Sequence, residues 1–279
     1  MPEAPEVQNV IRFLDENLKG RTITSAEITH PKLSDNMDAS DMEKKLVGQT
    51  FRKFLRHGKY LIFEMTDEDW ISHLRMEGKF LIEDELPEDP KISKHIHARF
   101  HLDNGKWLLY MDTRKFGRMQ LYPKTGDYRT LPVFKKIGPD VLSKEFTGSY
   151  LLQKLKNRKC PIKSALLDQS IVAGIGNIYA DEILFEAHLD PRSISSHLDL
   201  EDCIRIAKAA HRILSESIAQ GGTTIRSFEF GNHQSGSYQE SLQVHQKAQE
   251  LCAACGGTIE KVIVGQRSTY LCPQCQKRK

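Results

Sequence analysis

The cysteine spacing limits what this chain can fold into more than any other feature. Cys252, Cys255, Cys272 and Cys275 form a C-x2-C pair, 16 intervening residues and a second C-x2-C pair. Each pair offers two thiolates to one metal, and four thiolates close a tetrahedron around zinc with no position left for a substrate. The pattern predicts one structural Zn2+ on a short hairpin, with strands at Val262-Ile263-Val264 and Thr269-Tyr270-Leu271. Such a module is too short to fold on its own core, so the metal supplies folding free energy. Cys160 and Cys203 stand alone and read as small buried apolar residues.

At 279 residues the chain has room for about two domains of roughly 150 residues. Its 39% hydrophobic and 28% charged residues argue against a disordered tail, a collagen-like repeat or a disulfide miniprotein. No apolar run approaches the roughly 20 residues that span a bilayer. The opening Met1-Pro2-Glu3-Ala4-Pro5-Glu6 is acidic, unlike a signal or transit peptide, so the expected location is the cytoplasm.

Val7, Val10, Ile11, Leu14 and Leu18 recur at helical spacing, with Pro5 suited to the first turn and Gly20 to the stop. From Thr22 to about Tyr122 the pattern changes to short strands such as Tyr60-Leu61-Ile62-Phe63 and Trp107-Leu108-Leu109-Tyr110-Met111. Asn104-Gly105 between two of them signals a two-residue type I′ hairpin turn. A polar, basic stretch with Gly126, Pro132 and Gly138 reads as a linker. Helices are then expected from Phe146 to Lys156 and from Ile162 to Gln169. Another runs from an Asn177 cap to about Ala187, and a long one ends at Gly221-Gly222. Arg226 to Gln239 is a Ser/Gly/Asn/Gln-rich stretch without periodicity, expected to be a mobile loop.

The net charge of +3 says little, but the basic residues cluster. Arg52, Lys53, Arg56, His57 and Lys59 alternate with Phe51, Phe54 and Tyr60. Arg114, Lys115 and Arg118 surround Phe116; Lys154, Lys156, Arg158, Lys159 and Lys163 form a third group. Arg267, Lys277, Arg278 and Lys279 decorate the cysteine module. Any one cluster reads as a solvated face; four of them beside a zinc hairpin suggest a surface for a phosphate backbone.

The N-terminus admits two readings. Once Met1 is removed, Pro2 is a secondary amine with a reference pKa of about 7.7 to 8.0. Attack on a sugar carbon would give an iminium, which is charged without protonation and serves as an electron sink for elimination. Glu3 and Glu6 stand close in sequence for proton transfer. Alternatively, the prolines start a helix and the glutamates complement its dipole.

Motifs along nearly the whole chain carry a resemblance. These are Pro2-Glu3-Ala4-Pro5-Glu6-Val7, His57-Gly58-Lys59-Tyr60, His73-Leu74-Arg75-Met76-Glu77-Gly78 and Asp112-Thr113-Arg114-Lys115-Phe116-Gly117. Asp168-Gln169, Gly174-Ile175-Gly176-Asn177-Ile178-Tyr179 and the four-cysteine finger complete the set. Together they resemble the bacterial formamidopyrimidine-DNA glycosylases, relatives of endonuclease VIII.

The resemblance implies an α+β fold. Its parts are an N-terminal helix and β-sandwich catalytic domain (1–125), a linker (126–145) and a helical helix-two-turn-helix domain (146–225). A mobile lesion-reading loop (226–240) and a zinc finger (241–279) follow. It implies a monomeric, nucleoid-associated DNA glycosylase and abasic-site lyase of base excision repair. Double-stranded DNA with oxidised purines or abasic sites would lie in a cleft between the domains. By the same resemblance Pro2 is the nucleophile, Glu3 the acid that assists sugar opening and Glu6 a supporting carboxylate. Lys59 and Arg267, placed at the tip of the zinc hairpin, grip phosphates next to the lesion. His73 and Asn177 contact DNA. Met76, Arg114 and Phe116 fill the space left by the extruded base, Arg114 facing the orphaned cytosine.

Three positions depart from the common pattern: Ala4 for leucine, His57 for arginine, and His245 for a tyrosine that often contacts phosphate. The competing expectations are an enzyme of the same fold acting on oxidised pyrimidines, as endonuclease VIII does, and a zinc-ribbon DNA-binding protein without catalysis.

Overall fold

The computed structural model describes residues 1–223 and 236–279. These form two compact units. The first holds Met1–Pro2, Glu6–Lys135 and the described residues 221–223 and 236; the second holds Glu3–Pro5, Lys136–Gln220 and Ser237–Lys279.

Helix α1 (Ala4–Leu18), in the first unit from Glu6 onward, is followed by β1 (Ile23–Ile28), α2 (Ala39–Leu46), β2 (Lys53–His57), β3 (Tyr60–Glu64), β4 (Glu68–His73) and β5 (Lys79–Glu83). The short α3 (Pro90–Ser93), β6 (Ile96–Leu102), β7 (Trp107–Met111) and β8 (Arg118–Pro123) complete it. The strands make two four-stranded antiparallel sheets, ordered β1-β6-β7-β5 and β2-β3-β4-β8. One apolar cluster joins Trp70, Phe63, Phe51, Phe80 and Phe100 to Val7, Val10, Ile11, Leu14 and Leu18 of α1. Ring edges meet faces within it, with Trp70 4.9 Å from both Phe63 and Phe100. The helical spacing read in the sequence is therefore the stripe of α1 that closes this core.

The β6–β7 turn differs from the expectation. Gly105 has φ +83°, but Asn104 keeps a negative φ, whereas a type I′ turn needs both positive. Gly105 N donates to Leu102 O and Leu102 N to Lys106 O, the pattern of a three-residue loop with a left-handed glycine bulge. The expected linker also carries structure. Single turns at Tyr128–Thr130 and Pro132–Phe134 bring the Tyr128 and Phe134 rings to 5.9 and 5.4 Å from His57.

In the second unit, α4 (Gly148–Leu155) starts at Thr147, whose hydroxyl accepts the Tyr150 amide. The short α5 (Ile162–Leu167) and α6 (Asn177–Glu186) follow; α6 is buried from Tyr179 to Phe185. The amphipathic α7 (Leu200–Ala219) opens with a reciprocal capping box between Asp199 and Asp202. Strands β9 (Glu260–Val264) and β10 (Arg267–Leu271) form the expected hairpin. Its two turn residues, Gly265 and Gln266, have φ +53° and +62°, so the primed turn belongs here.

Part of the expected loop, Tyr238–Ser241, is a 3-10 turn with Tyr238 buried; residues 224–235 lie outside the described residues. The basic stretch after the last cysteine is not a loose arm. The Lys277 amide donates to His188 O, the Asp190 amide to Lys277 O and the Ile194 amide to Lys279 O. The Lys279 ammonium sits on the Asp199 and Asp202 carboxylates of the α7 cap, so its charge is already engaged.

Candidate active site and DNA-contact residues

Pro2 is buried, and with Met1 attached its nitrogen is a peptide amide without a proton. Glu3, only 2% exposed, lies at the start of α6. Its carboxylate accepts the Gly176 amide at 2.6 Å, the Ile178 amide at 2.9 Å and the Tyr179 amide at 3.4 Å. Asn177 was expected to cap this helix; the cap residue is Gly176, and Glu3 supplies the carboxylate that pairs the free amides. A Cβ at Gly176 would lie 2.3 Å from the Glu3 carboxylate carbon, so glycine is there to let the acid approach. Glu6 is buried and accepts the Thr223 amide and hydroxyl at 2.8 and 2.9 Å. It thereby anchors the flank of the segment at 224–235.

Lys59 is buried in the two-residue turn between β2 and β3, after Gly58 at φ +58°. His73, at the end of β4, is 8% exposed. Burial first, then Arg75 and Lys59, push its pKa from 6.5 down to about 3, so the ring is neutral. Its Nδ1 accepts the Arg75 amide at 2.9 Å and steadies Arg75 at φ +56°. Through that bond His73 shapes the loop that carries Met76.

Met76 and Phe116 are 39% and 47% exposed, unusual for large apolar side chains. The Arg114 guanidinium lies 4.8 Å from the centre of the Phe116 ring. Asp112, 1% exposed, accepts the amides of Arg114, Phe116 and Gly117 at 2.8 to 2.9 Å and so dictates the course of that loop. Lys115 takes φ +59° within it. The sequence reading named the displayed residues and His73; the hydrogen bonds by which buried Asp112 and His73 hold the two loops are seen only in the structure.

In the second unit, the four cysteine sulfurs lie within 4.8 Å of one another, with Cys252 to Cys275 at 3.8 Å and Cys255 to Cys272 at 3.4 Å. Four Zn–S bonds of about 2.3 Å give a tetrahedral edge near 3.8 Å, so the set fits one zinc ion. Arg267 is exposed at the first position of β10, one residue past the hairpin tip where it was expected. Next to it, Ser268 O accepts Asn177 Nδ2 at 3.0 Å and Lys163 Nζ at 3.1 Å. Lys163 is fully buried and also binds Asp181 at 2.7 Å and the Thr269 hydroxyl at 2.8 Å. The other Asp181 oxygen meets His245 Nδ1 at 2.7 Å. The substituted histidine is thus part of a buried network that holds β10 against α5 and α6. Lys163, read above as a surface cation, has no free face for DNA.

A β-sandwich that displays a stacked Arg–Phe pair, with a helical unit carrying a four-cysteine hairpin, defines a zinc-finger protein of DNA-glycosylase architecture. Three family signatures agree. The formamidopyrimidine-DNA glycosylase N-terminal domain matches residues 1–119, the formamidopyrimidine-DNA glycosylase H2TH domain matches 137–229, and the zinc finger found in FPG and IleRS matches 249–278. The chain belongs to the formamidopyrimidine-DNA glycosylase family. It is 43% identical to the formamidopyrimidine-DNA glycosylase of Streptococcus mutans and 41% identical to that of Bacillus anthracis, each over 279 residues and 100% of both chains. A Lactococcus lactis FPG mutant in complex with Fapy-dG-containing DNA superposes with TM-score 0.90 at 37% identity, covering 99% of this chain and 100% of that one. The Lactococcus lactis Fpg complex with abasic-site DNA gives TM-score 0.89 at 37% identity and the same coverage.

Proposed function

We propose that the protein is a bifunctional DNA glycosylase and abasic-site lyase of base excision repair. It excises oxidised purines, 8-oxoguanine and formamidopyrimidines, from double-stranded DNA. The full-length glycosylase relatives support the activity, and the complexes with Fapy-dG and abasic DNA support the substrate. The observation that carries the catalytic assignment is the seat of Glu3 on the amides that open α6, which fixes the residue next to Pro2.

With Met1 removed, the neutral Pro2 amine attacks C1′ of the damaged nucleotide. The C1′–base bond breaks, its electron pair leaves with the base, and the base takes a proton from solvent. Glu3 takes the proton that the nitrogen loses and delivers it to the ring oxygen as the sugar opens, leaving an iminium. The iminium draws electrons from C2′; loss of the C2′ proton expels the 3′ phosphate, and a second elimination expels the 5′ phosphate. Glu6 supports the site. Lys59 and Arg267 hold phosphates beside the lesion, and Asn177 uses the second hydrogen of its amide nitrogen for another. Met76, Arg114 and Phe116 fill the space the base vacates, and His73 positions the Met76 loop. Zinc supplies folding free energy to the hairpin that carries Arg267 and takes no part in bond breaking. The protein acts as a monomer on the nucleoid.

Borohydride reduction in the presence of duplex DNA with 8-oxoguanine opposite cytosine should trap one covalent adduct per chain. Protein shown by mass spectrometry to lack Met1 that gives no adduct would overturn the reading. Preferential trapping on thymine glycol would reassign the substrate to oxidised pyrimidines. Full activity with Met1 retained would remove Pro2 as nucleophile.

A further inference from the structure

The connections that carry Met76 and the Arg114–Phe116 pair both cross from one sheet to the other. β4 neighbours β8 in one sheet and β5 neighbours β7 in the second, so the β4–β5 and β7–β8 connections run side by side. Two independent features join them. Both loops lie on the same phenol: a Cβ at Gly78 would come within 2.2 Å of Tyr110 Oη, and one at Gly117 within 1.7 Å. Tyr110 is itself buried, and burial next to the Asp112 carboxylate raises its pKa, keeping the phenol neutral. Across the top, the Thr113 hydroxyl donates to the Glu77 carboxylate. That bond joins the residue after Met76 to the residue before Arg114.

We infer that Tyr110, Thr113 and Glu77 make the two loops one wedge, so that Met76, Arg114 and Phe116 enter and leave the duplex together. The inference rests on the void-filling roles proposed above. Neither loop can press inward without pushing Tyr110 Oη toward the other, because no Cβ-sized space separates either from that hydroxyl. The Thr113–Glu77 bond adds a directional tie between side chains exposed on both loops. A wrong base opposite the lesion, met by Arg114, is thereby felt at Met76. Discrimination of the opposite base becomes part of extrusion itself, with Thr113 and Glu77 as positioning residues.

The full-length protein carrying 13C-methyl methionine tests this by two readouts. Thr113→Val should move the Met76 methyl resonance in the absence of DNA. It should also slow excision of 8-oxoguanine from duplex DNA about tenfold, the upper weight of one ordinary hydrogen bond, and narrow the preference for cytosine opposite the lesion. Cleavage of an abasic site in single-stranded DNA should not change. Glu77→Gln keeps an oxygen acceptor and should stay within about twofold on every assay. A Met76 methyl signal indifferent to Thr113→Val overturns the tie, as does a duplex excision rate unchanged in that variant while Met76→Ala slows it. If Met76→Ala and Phe116→Ala both leave duplex excision intact, the void-filling reading fails; the methyl response then decides the mechanical coupling by itself.

Discussion

Glu3 and Gly176 are 173 positions apart in the chain, yet the Gly176 amide donates to the Glu3 carboxylate at 2.6 Å. The backbone at Gly176 is extended, so any residue could adopt it; what forbids a side chain is the 2.3 Å that would separate its Cβ from the carboxylate. Gly176→Ala should therefore eject Glu3 from its seat while leaving both units folded. A misplacement of about 1 Å at a reacting group costs about 100-fold in rate. Single-turnover borohydride trapping should show that loss, with circular dichroism and zinc content unchanged. A wild-type trapping rate would separate the seat from the chemistry.

His73 gives the first unit a pH dependence whose sign is fixed. Its pKa is pushed from 6.5 to about 3, chiefly by burial, then by Arg75 and Lys59. The unfolded chain takes up a proton as pH falls through about 6.5, while the folded chain refuses it down to about 3. Stability from this residue is complete above the upper value and is lost progressively as pH falls across the window. His73→Gln keeps an acceptor for the Arg75 amide and cannot titrate. Urea unfolding midpoints should fall less between pH 6.5 and 4 in the variant than in the parent protein; identical slopes would mean that His73 is protonated in the fold.

The Lys163–Asp181 pair is dry, with both side chains fully buried. Removing one partner of such a pair costs about 3–5 kcal/mol, because the other charge is stranded. Lys163→Met should lower stability on that scale and, by releasing Ser268 O and the Thr269 hydroxyl, loosen Arg267 and weaken lesion-DNA binding. Lys163→Met combined with Asp181→Leu should regain much of the stability without regaining affinity. Thermal unfolding alongside a binding titration reads both effects. Equal recovery of both would show that the pair does not position β10.

Cys272→Ser should release zinc, disorder the hairpin and reduce affinity for lesion DNA severely, leaving the β-sandwich folded. Arg267→Ala should reproduce much of that loss with one zinc still bound per chain, and lower the salt dependence of binding by about one phosphate contact. Metal analysis beside titrations at several salt concentrations separates the two. Normal binding and cleavage by zinc-free Cys272→Ser would take the finger out of the DNA grip.

The features legible in the sequence are those whose cause is local. The α1 stripe was readable because Val7, Val10, Ile11, Leu14 and Leu18 all turn to one core. The zinc site was readable because each pair of ligands lies within one turn of chain. Asn104-Gly105 misled because the dipeptide serves two turn geometries, and the strand register chooses between them. β4 was harder still: Glu68, Asp69 and His73 look like an exposed face, but every residue of the strand is buried. Lys45 reaches Glu68, and Thr125 covers Asp69. The Glu3 cap, the Lys163–Asp181–His245 network and the engagement of Lys279 by the α7 cap join residues far apart in sequence. No local pattern announces them. Gly78 and Gly117 look like ordinary loop glycines until the sheet order puts both on Tyr110.

The long reach from Glu3 to Gly176 also orders events in time. The N-terminus leaves the ribosome first, and at about 5–20 residues per second the 173 positions separating Glu3 from Gly176 take roughly 9–35 s to add. During that interval an unmasked Pro2 amine has no seated carboxylate beside it. If Pro2 and Glu3 act as proposed, competence to cut DNA arrives only once α6 exists, and a truncated translation product that ends before Gly176 would carry the Pro2 amine without a seated Glu3.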